Sequence, residues 1–121
     1  MSRVIHFEIN ANNPERAVKF YSAVFGWKIE NFGGPVDYWL AKTGTEGEMG
    51  IDGAIMPRTG KLTTVNTISV SSVNVAIKAI EQSGGKIIQP KMPIPGIGYH
   101  AYCQDTEGNV FGILEPDPSA K

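Results

Sequence analysis

The chain has one cysteine, almost no net charge and no long apolar run. With Cys103 alone among 121 residues, no internal disulfide can form, and the composition suits a reducing compartment. A net charge of −1 leaves no basic face for a phosphate backbone, so nucleic acid is not an expected partner. No apolar segment approaches the length of a membrane span, and the opening MSRVIHFEI lacks the charged-then-apolar layout of a signal peptide. A cytoplasmic protein with no membrane partner is the expectation. Familiar catalytic patterns are missing too. Gly33-Gly34-Pro35 and Gly84-Gly85 fall at turns and not at helix starts, so there is no phosphate-cradling loop. Nothing sets a serine up as a nucleophile either.

The rest of the composition, 41% hydrophobic and 19% charged, is that of an ordinary soluble globule. At this length a single domain, residues 1–121, buries roughly two-thirds of its unfolded surface. Within it the chain repeats itself. ERAVKF (Glu15–Phe20) returns as NVAIKA (Asn74–Ala79), and Gly26, Lys28 and Ile29 return as Gly84, Lys86 and Ile87. GIDGAIMPR (Gly50–Arg58) returns as GNVFGILEP (Gly108–Pro116), and the offset holds throughout with one residue lost. A repeat of this length is half a domain, and two halves would close over a shared cleft. The units are expected at about 4–58 and about 63–116.

Each unit reads as β-α-β-β-β. Residues 4–10 alternate, with Ile5, Phe7 and Ile9 on one face and His6, Glu8 and Asn10 on the other. Asn13-Pro14 supplies a helix cap and a first-turn proline, and Gly26 a stop. Between them Ala17, Phe20, Tyr21, Val24 and Phe25 have the spacing of a buried stripe. Strands are expected near Trp27–Glu30, Tyr38–Lys42 and Ile51–Met56. The second unit offers a strand at Val65–Val70 and a Ser72-capped helix carrying Val73, Ala76, Ile77 and Ile80. Further strands are expected near Lys86–Gln89, Tyr99–Cys103 and Val110–Glu115, with a type I turn at Asp105–Gly108. Pro90–Gly98, rich in proline and glycine, reads as an irregular loop.

The plan, the segment HFEINANNPERAVKFYSAVFGW (His6–Trp27) and the ending DTEGNVFGILEP (Asp105–Pro116) resemble the vicinal oxygen chelate superfamily. That group includes glyoxalase I, extradiol dioxygenases, fosfomycin-resistance enzymes and bleomycin-resistance proteins. The resemblance is nearest to the branch of predicted enzymes related to lactoylglutathione lyase. It implies an α+β fold in which two tandem βαβββ units form one open-barrel sheet with the helices on its outer face. It also implies a ligand cleft on the inner face and a homodimer.

The resemblance further implies up to four metal ligands, on the first and last strand of each unit. His6 matches the first, but its repeat partner is Val65. The last-strand position is Gly112, where glyoxalase-like members carry Glu, and its repeat partner is Ala54. One donor of four is too few, since a divalent transition metal takes three or more. No metal and no cofactor is therefore expected. Glu8 and Asp52 share the faces of His6 and Ala54 and would offer an N/O₂ set. The preferred reading is that they are hydrogen-bonded residues of a wet cleft.

The expected helix-facing set is Ile5, Phe7, Ile9, Ile51, Ile55, Ile68, Val70, Phe111 and Ile113. The expected inner set adds to His6 and Glu8 the ligand-binding candidates Asn10, Asp52, Ala54, Met56, Val65, Thr67, Ser69, Val110, Gly112 and Leu114. Such an apolar floor with a few polar groups suits a small organic ligand, with room left at Ala54 and Gly112. His100 reads as a surface or pocket-edge residue, Cys103 as a packed strand residue, and Trp27 and Trp39 as core and cleft wall. The first functional expectation is a small-molecule-binding protein of the glyoxalase or bleomycin-resistance type without the usual metal. The alternatives are a metal-free lyase or isomerase with Glu8 and His6 as catalytic acid and base, a metal-dependent glyoxalase-like enzyme with a rebuilt site, or an interaction module.

Overall fold

A computed structural model describes residues 2–121. In β1 (Val4–Ala11) the alternation holds, and Glu8 and Asn10 are buried on the face shared with His6. Helix α1 (Pro14–Phe25) begins where Asn13 Oδ1 accepts from the Arg16 N–H at 3.1 Å. It ends at Gly26, whose φ of 72° is the left-handed conformation that a residue without Cβ adopts cheaply. Strands β2 (Lys28–Asn31), β3 (Trp39–Lys42) and β4 (Gly53–Pro57) complete the first repeat. The second repeat runs β5 (Thr64–Ser69), α2 (Val73–Gln82), β6 (Lys86–Ile94), β7 (Gly98–Gln104) and β8 (Val110–Pro116). The α+β class and the βαβββ order of both units are as the sequence predicts.

Packing divides the described residues into an N-terminal unit, His6–Val65, and a C-terminal unit of Asn66–Lys121 joined by residues 2–5. In the N-terminal unit the strand order is β2-β3-β4-β1. Strands β1 and β4 are parallel, with Glu8 beside Ala54, and β3 is antiparallel to β4, with Leu40 opposite Ala54. The C-terminal order, β5-β8-β7-β6, repeats this. Strands β5 and β8 are parallel, with Thr67 beside Gly112, and β7 is antiparallel to β8, with Tyr102 opposite Gly112. The duplication therefore survives in strand register, which makes Thr67 the counterpart of Glu8, and His100 the counterpart of Tyr38 two residues before the central pair.

The C-terminal core is Val73, Ala101, Cys103 and Ile113, packed under Ala76, Ile77 and Ile80 of α2. In the N-terminal unit α1 lies on β2 and β4, and Trp27 fills the space beneath it. Its indole stacks on Tyr21 at 4.9 Å and tilts against Phe7 at 5.8 Å. Ile55, on the same face, is fully buried.

Three expectations need correction. The buried stripe of α1 is rotated by about one residue. Ala17, Val18, Tyr21 and Ser22 are half-buried, while Phe20, Val24 and Phe25 are more than half exposed. Ile5 and Ile51, assigned to the core, are 40% and 37% exposed; Ile5 is the second residue of β1, and Ile51 lies outside the strands, two residues before β4. Pro90–Gly98 is not an irregular loop, because β6 continues to Ile94. It is an edge strand, and register shifts between Ile87 and Gln89 and between Gln89 and Met92 absorb Pro90, which cannot donate to a ladder.

Candidate functional site

On the polar face of β1, Glu8 is 6% exposed and His6 is half-buried. Tyr38, the residue before β3, joins them across 30 positions of sequence. Its hydroxyl donates to Glu8 Oε2 at 2.8 Å, and His6 Nε2 stands 2.8 Å from the same oxygen. A phenol has one proton, and here Glu8 receives it, so the Tyr38 oxygen accepts from His6. Nε2 of His6 then carries the imidazole proton, and Nδ1 holds the ring's lone pair. The His6 and Tyr38 rings run nearly parallel, 17° apart in plane. Burial pushes the pKa of His6 below its ordinary 6.5, while the Glu8 and Asp52 carboxylates pull it back up. The imidazole is thus neutral at pH 7, the form that can both give and take a proton.

Two predicted ligand-binding residues hold loops. Asp52 is exposed, and its Oδ1 accepts from the Thr43 N–H at 2.9 Å and from the Thr43 hydroxyl at 3.2 Å. Asn10 donates to the Thr63 carbonyl at 3.2 Å and accepts from the Thr59 N–H at 3.4 Å, tying down the segment between β4 and β5. Ala54 is fully buried and Met56 half-buried beside this chain of polar groups. A surface depression along Lys42–Asp52 has neither His6 nor Glu8 in its wall.

In the C-terminal unit Thr67 is 3% and His100 8% exposed. A Cβ added to Gly112 would lie 2.7 Å from His100 Nε2 and 3.2 Å from Thr67 Oγ1. The imidazole therefore fills the space that a side chain at 112 would need. The Tyr102 ring meets it edge-on at 4.5 Å. Ser69, Val110 and Leu114 are half-buried, and Val65, the last residue of the N-terminal unit, is buried. The expected room at Gly112 is thus filled, and His100 is a buried residue and not a surface one. Cys103 is packed as expected, and burial pushes its thiol up to about 11.

Sequence reasoning missed Tyr38 and undervalued His100. His100 lies on the third strand of its repeat and Tyr38 immediately before the third strand of the other, and aligning the two segments by register would have paired them.

The family model of the Glyoxalase/Bleomycin resistance protein/Dioxygenase superfamily matches residues 3–113. The chain belongs to that superfamily. It is 31% identical over 117 residues to a glyoxylase-like domain-containing protein of Didymella fabae, covering 88% of each chain. Two solved structures share the superfamily fold. A hypothetical protein from Bacillus halodurans C-125 superposes with a TM-score of 0.72 at 12% identity, over 99% of this chain and 98% of the other. A Streptomyces coelicolor methylmalonyl-CoA epimerase variant, in complex with 2-nitronate-propionyl-CoA, superposes at 0.70 with 13% identity, over 98% and 97%.

The residues present do not fit the metal that the superfamily resemblance implies. Val65, Ala54 and Gly112 bring no donor to three of its four positions. The fourth, His6, directs Nε2 at Tyr38, and Asp52 Oδ1 is held by Thr43. Among the described residues no three of His, Cys, Asp and Glu are grouped to hold an ion. Among them, too, no helix is long and apolar enough to cross a membrane.

Proposed function

We propose that the polar face of β1 binds a small organic molecule and that His6, Tyr38 and Glu8 move a proton on it. The protein is then a lyase or isomerase of the glyoxalase type that works without the superfamily's metal. The observation that carries this reading is the unbroken His6–Tyr38–Glu8 chain, 2.8 Å at each step. A carboxylate and a neutral imidazole joined by a phenol are an acid–base pair with a built-in path between them.

The chemistry balances at named atoms. Glu8 takes a proton from a carbon beside a carbonyl, and the released electron pair moves onto the carbonyl oxygen as an enolate. Where the deprotonated carbon also bears a hydroxyl, the enolate is an enediolate, and giving the proton back to the former carbonyl carbon while the hydroxyl proton passes to the other oxygen yields an isomer. Glu8 can also be loaded along the chain. A proton accepted at His6 Nδ1 sends the Nε2 proton to Tyr38 and the Tyr38 proton to Glu8, leaving His6 and Tyr38 neutral.

A binding protein of the bleomycin-resistance kind is the second reading, favoured by the apolar neighbours Ala54, Met56 and Leu40. A metabolite screen by NMR on wild type, Glu8→Gln and His6→Ala tests the site itself. Ligands should lose affinity in both variants, whereas changes below about twofold, roughly 0.4 kcal/mol, would place the site elsewhere. Turnover of a bound compound selects the enzyme, and binding without turnover selects the second reading.

We also propose a homodimer, because Phe20, Val24 and Phe25 expose an apolar flank of α1. Light scattering that gives a monomer mass would overturn it.

A further inference from the structure

In the N-terminal unit the strand register sets two rows of side chains around the relay. Phe7, Gly53, Ala41 and Ile29 stand in register across β1, β4, β3 and β2, and the buried Ala41 marks theirs as the core-facing row. The residues on either side of it point to the opposite face, which is that of Glu8. One such row is Glu8, Ala54, Leu40 and Glu30. The other begins with His6 and Asp52 and ends in Lys42, directly opposite Lys28.

Like charges directly opposite each other in a ladder cost stability. Both lysines are exposed, and among the described residues neither ammonium makes a hydrogen bond or an ion pair. Of the carboxylates on this face, Asp52 Oδ1 accepts twice from Thr43, and Glu30 stands opposite Leu40, one row along. Between Glu8 and the lysines lie the methyl of Ala54 and the 42% exposed side chain of Leu40. Strands stand about 4.8 Å apart, so Lys42 lies roughly 10 Å across the sheet from β1, within the span of one small molecule and a lysine stem. Two ammonium point charges match a phosphate dianion, whereas a carboxylate is best held by the arginine fork. The unit's arginines are placed elsewhere, Arg16 on α1 and Arg58 bound to Asn12 and the Leu62 carbonyl.

We propose that Lys28 and Lys42 hold the phosphate of a substrate whose hydroxy-carbonyl end reaches Glu8 and whose carbon stem lies over Ala54 against Leu40. The substrate class is a small phosphorylated hydroxy-aldehyde or hydroxy-ketone. The proposal rests on the proton-relay reading for the reactive end. The lysine pair itself binds and sets the substrate's register without touching the reacting atoms.

The test is a calorimetric titration of the full chain with glycerol phosphate, dihydroxyacetone phosphate and dihydroxyacetone, with deuterium exchange of the two ketones read in parallel. Both phosphates should bind saturably, and dihydroxyacetone about tenfold more weakly or worse. Lys28→Gln and Lys42→Gln should each weaken glycerol phosphate by about tenfold, the scale of one hydrogen bond to a charged group. Lys19→Gln, exposed on α1, removes the same charge and should leave the affinity unchanged. Equal affinity for dihydroxyacetone and its phosphate, lysine-pair variants within about twofold of wild type, or an equal loss in Lys19→Gln would each overturn the proposal. Phosphate binding without exchange would support the lysine subsite and count against the relay. Exchange of both ketones with no preference for the phosphate would overturn the subsite and leave the relay standing.

Discussion

Tyr38 donates its hydroxyl proton to Glu8 at 2.8 Å, and through that one oxygen Glu8 is linked to His6. The three groups act as one unit, so removing the middle member breaks both links. Tyr38→Phe should cost about 1–3 kcal/mol, because it withdraws a donor from a carboxylate that is only 6% exposed. Urea unfolding of the two proteins checks this. An unchanged midpoint would show that the bond contributes nothing to the fold.

Acid should destabilise the protein partly through His6. Its folded pKa lies below 6.5, so between the two values the unfolded chain binds more protons than the folded one. The contribution is fully present above 6.5 and is lost as pH falls through the lowered value. Asp105 and Asp117 are held below 3.8, the first chiefly by the Asn109 N–H and the second chiefly by the Ser119 hydroxyl, and act only in a more acidic window. Thermal melts from about pH 7.5 to about pH 5 should therefore show wild type losing more stability than His6→Gln. Parallel losses would contradict the assignment.

Cys103 should be inert in the folded protein. Its thiol is fully buried and pushed from 9.0 up to about 11, so it carries no thiolate at neutral pH. The raised value stabilises the fold below 9.0, a contribution lost as pH rises from there through about 11. A thiol reagent should label Cys103 in denaturant and leave it unlabelled at pH 7 without denaturant. Fast labelling of the native chain would show that this core opens.

Two glycines separate backbone from side-chain constraint. A Cβ at Gly53 would meet the Phe7 carbonyl oxygen and ring at 2.5 Å, whereas at Gly112 it would meet the His100 ring at 2.7 Å. A side chain can swing away and a backbone in a parallel ladder cannot. Gly53→Ala should cost more than Gly112→Ala, by about 1–3 kcal/mol, in chemical denaturation. The reverse order would mean that His100 is the more rigid neighbour.

Much of this was legible before any coordinates. Alternation along residues 4–10 placed His6 and Glu8 together on the polar face, and Asn13 and Ser72 announced their helices through side chains that cap them. The exact face of α1 was not legible. Apolar residues lie on both sides of it, at Ala17, Val18, Phe20, Tyr21, Val24 and Phe25, and the choice fell to the fit of Tyr21 over Trp27. Tyr38 was hidden because its role depends on the register of a short strand after a glycine-rich turn. The burial of His100 depends on an absence one strand away, at Gly112, which only the sheet register brings beside it.

In the proposed function the His6–Tyr38–Glu8 chain moves protons on a bound carbonyl compound without a metal. Deuterium exchange at the carbon beside the carbonyl, followed by NMR across a panel of small ketones, keto acids and thioesters in a chelator, measures that step directly. Wild type should exchange at least one compound, Glu8→Gln should lose that exchange, and Tyr38→Phe should slow it markedly. Exchange that persists undiminished in Glu8→Gln, or that appears only when a divalent metal is supplied, would contradict that function.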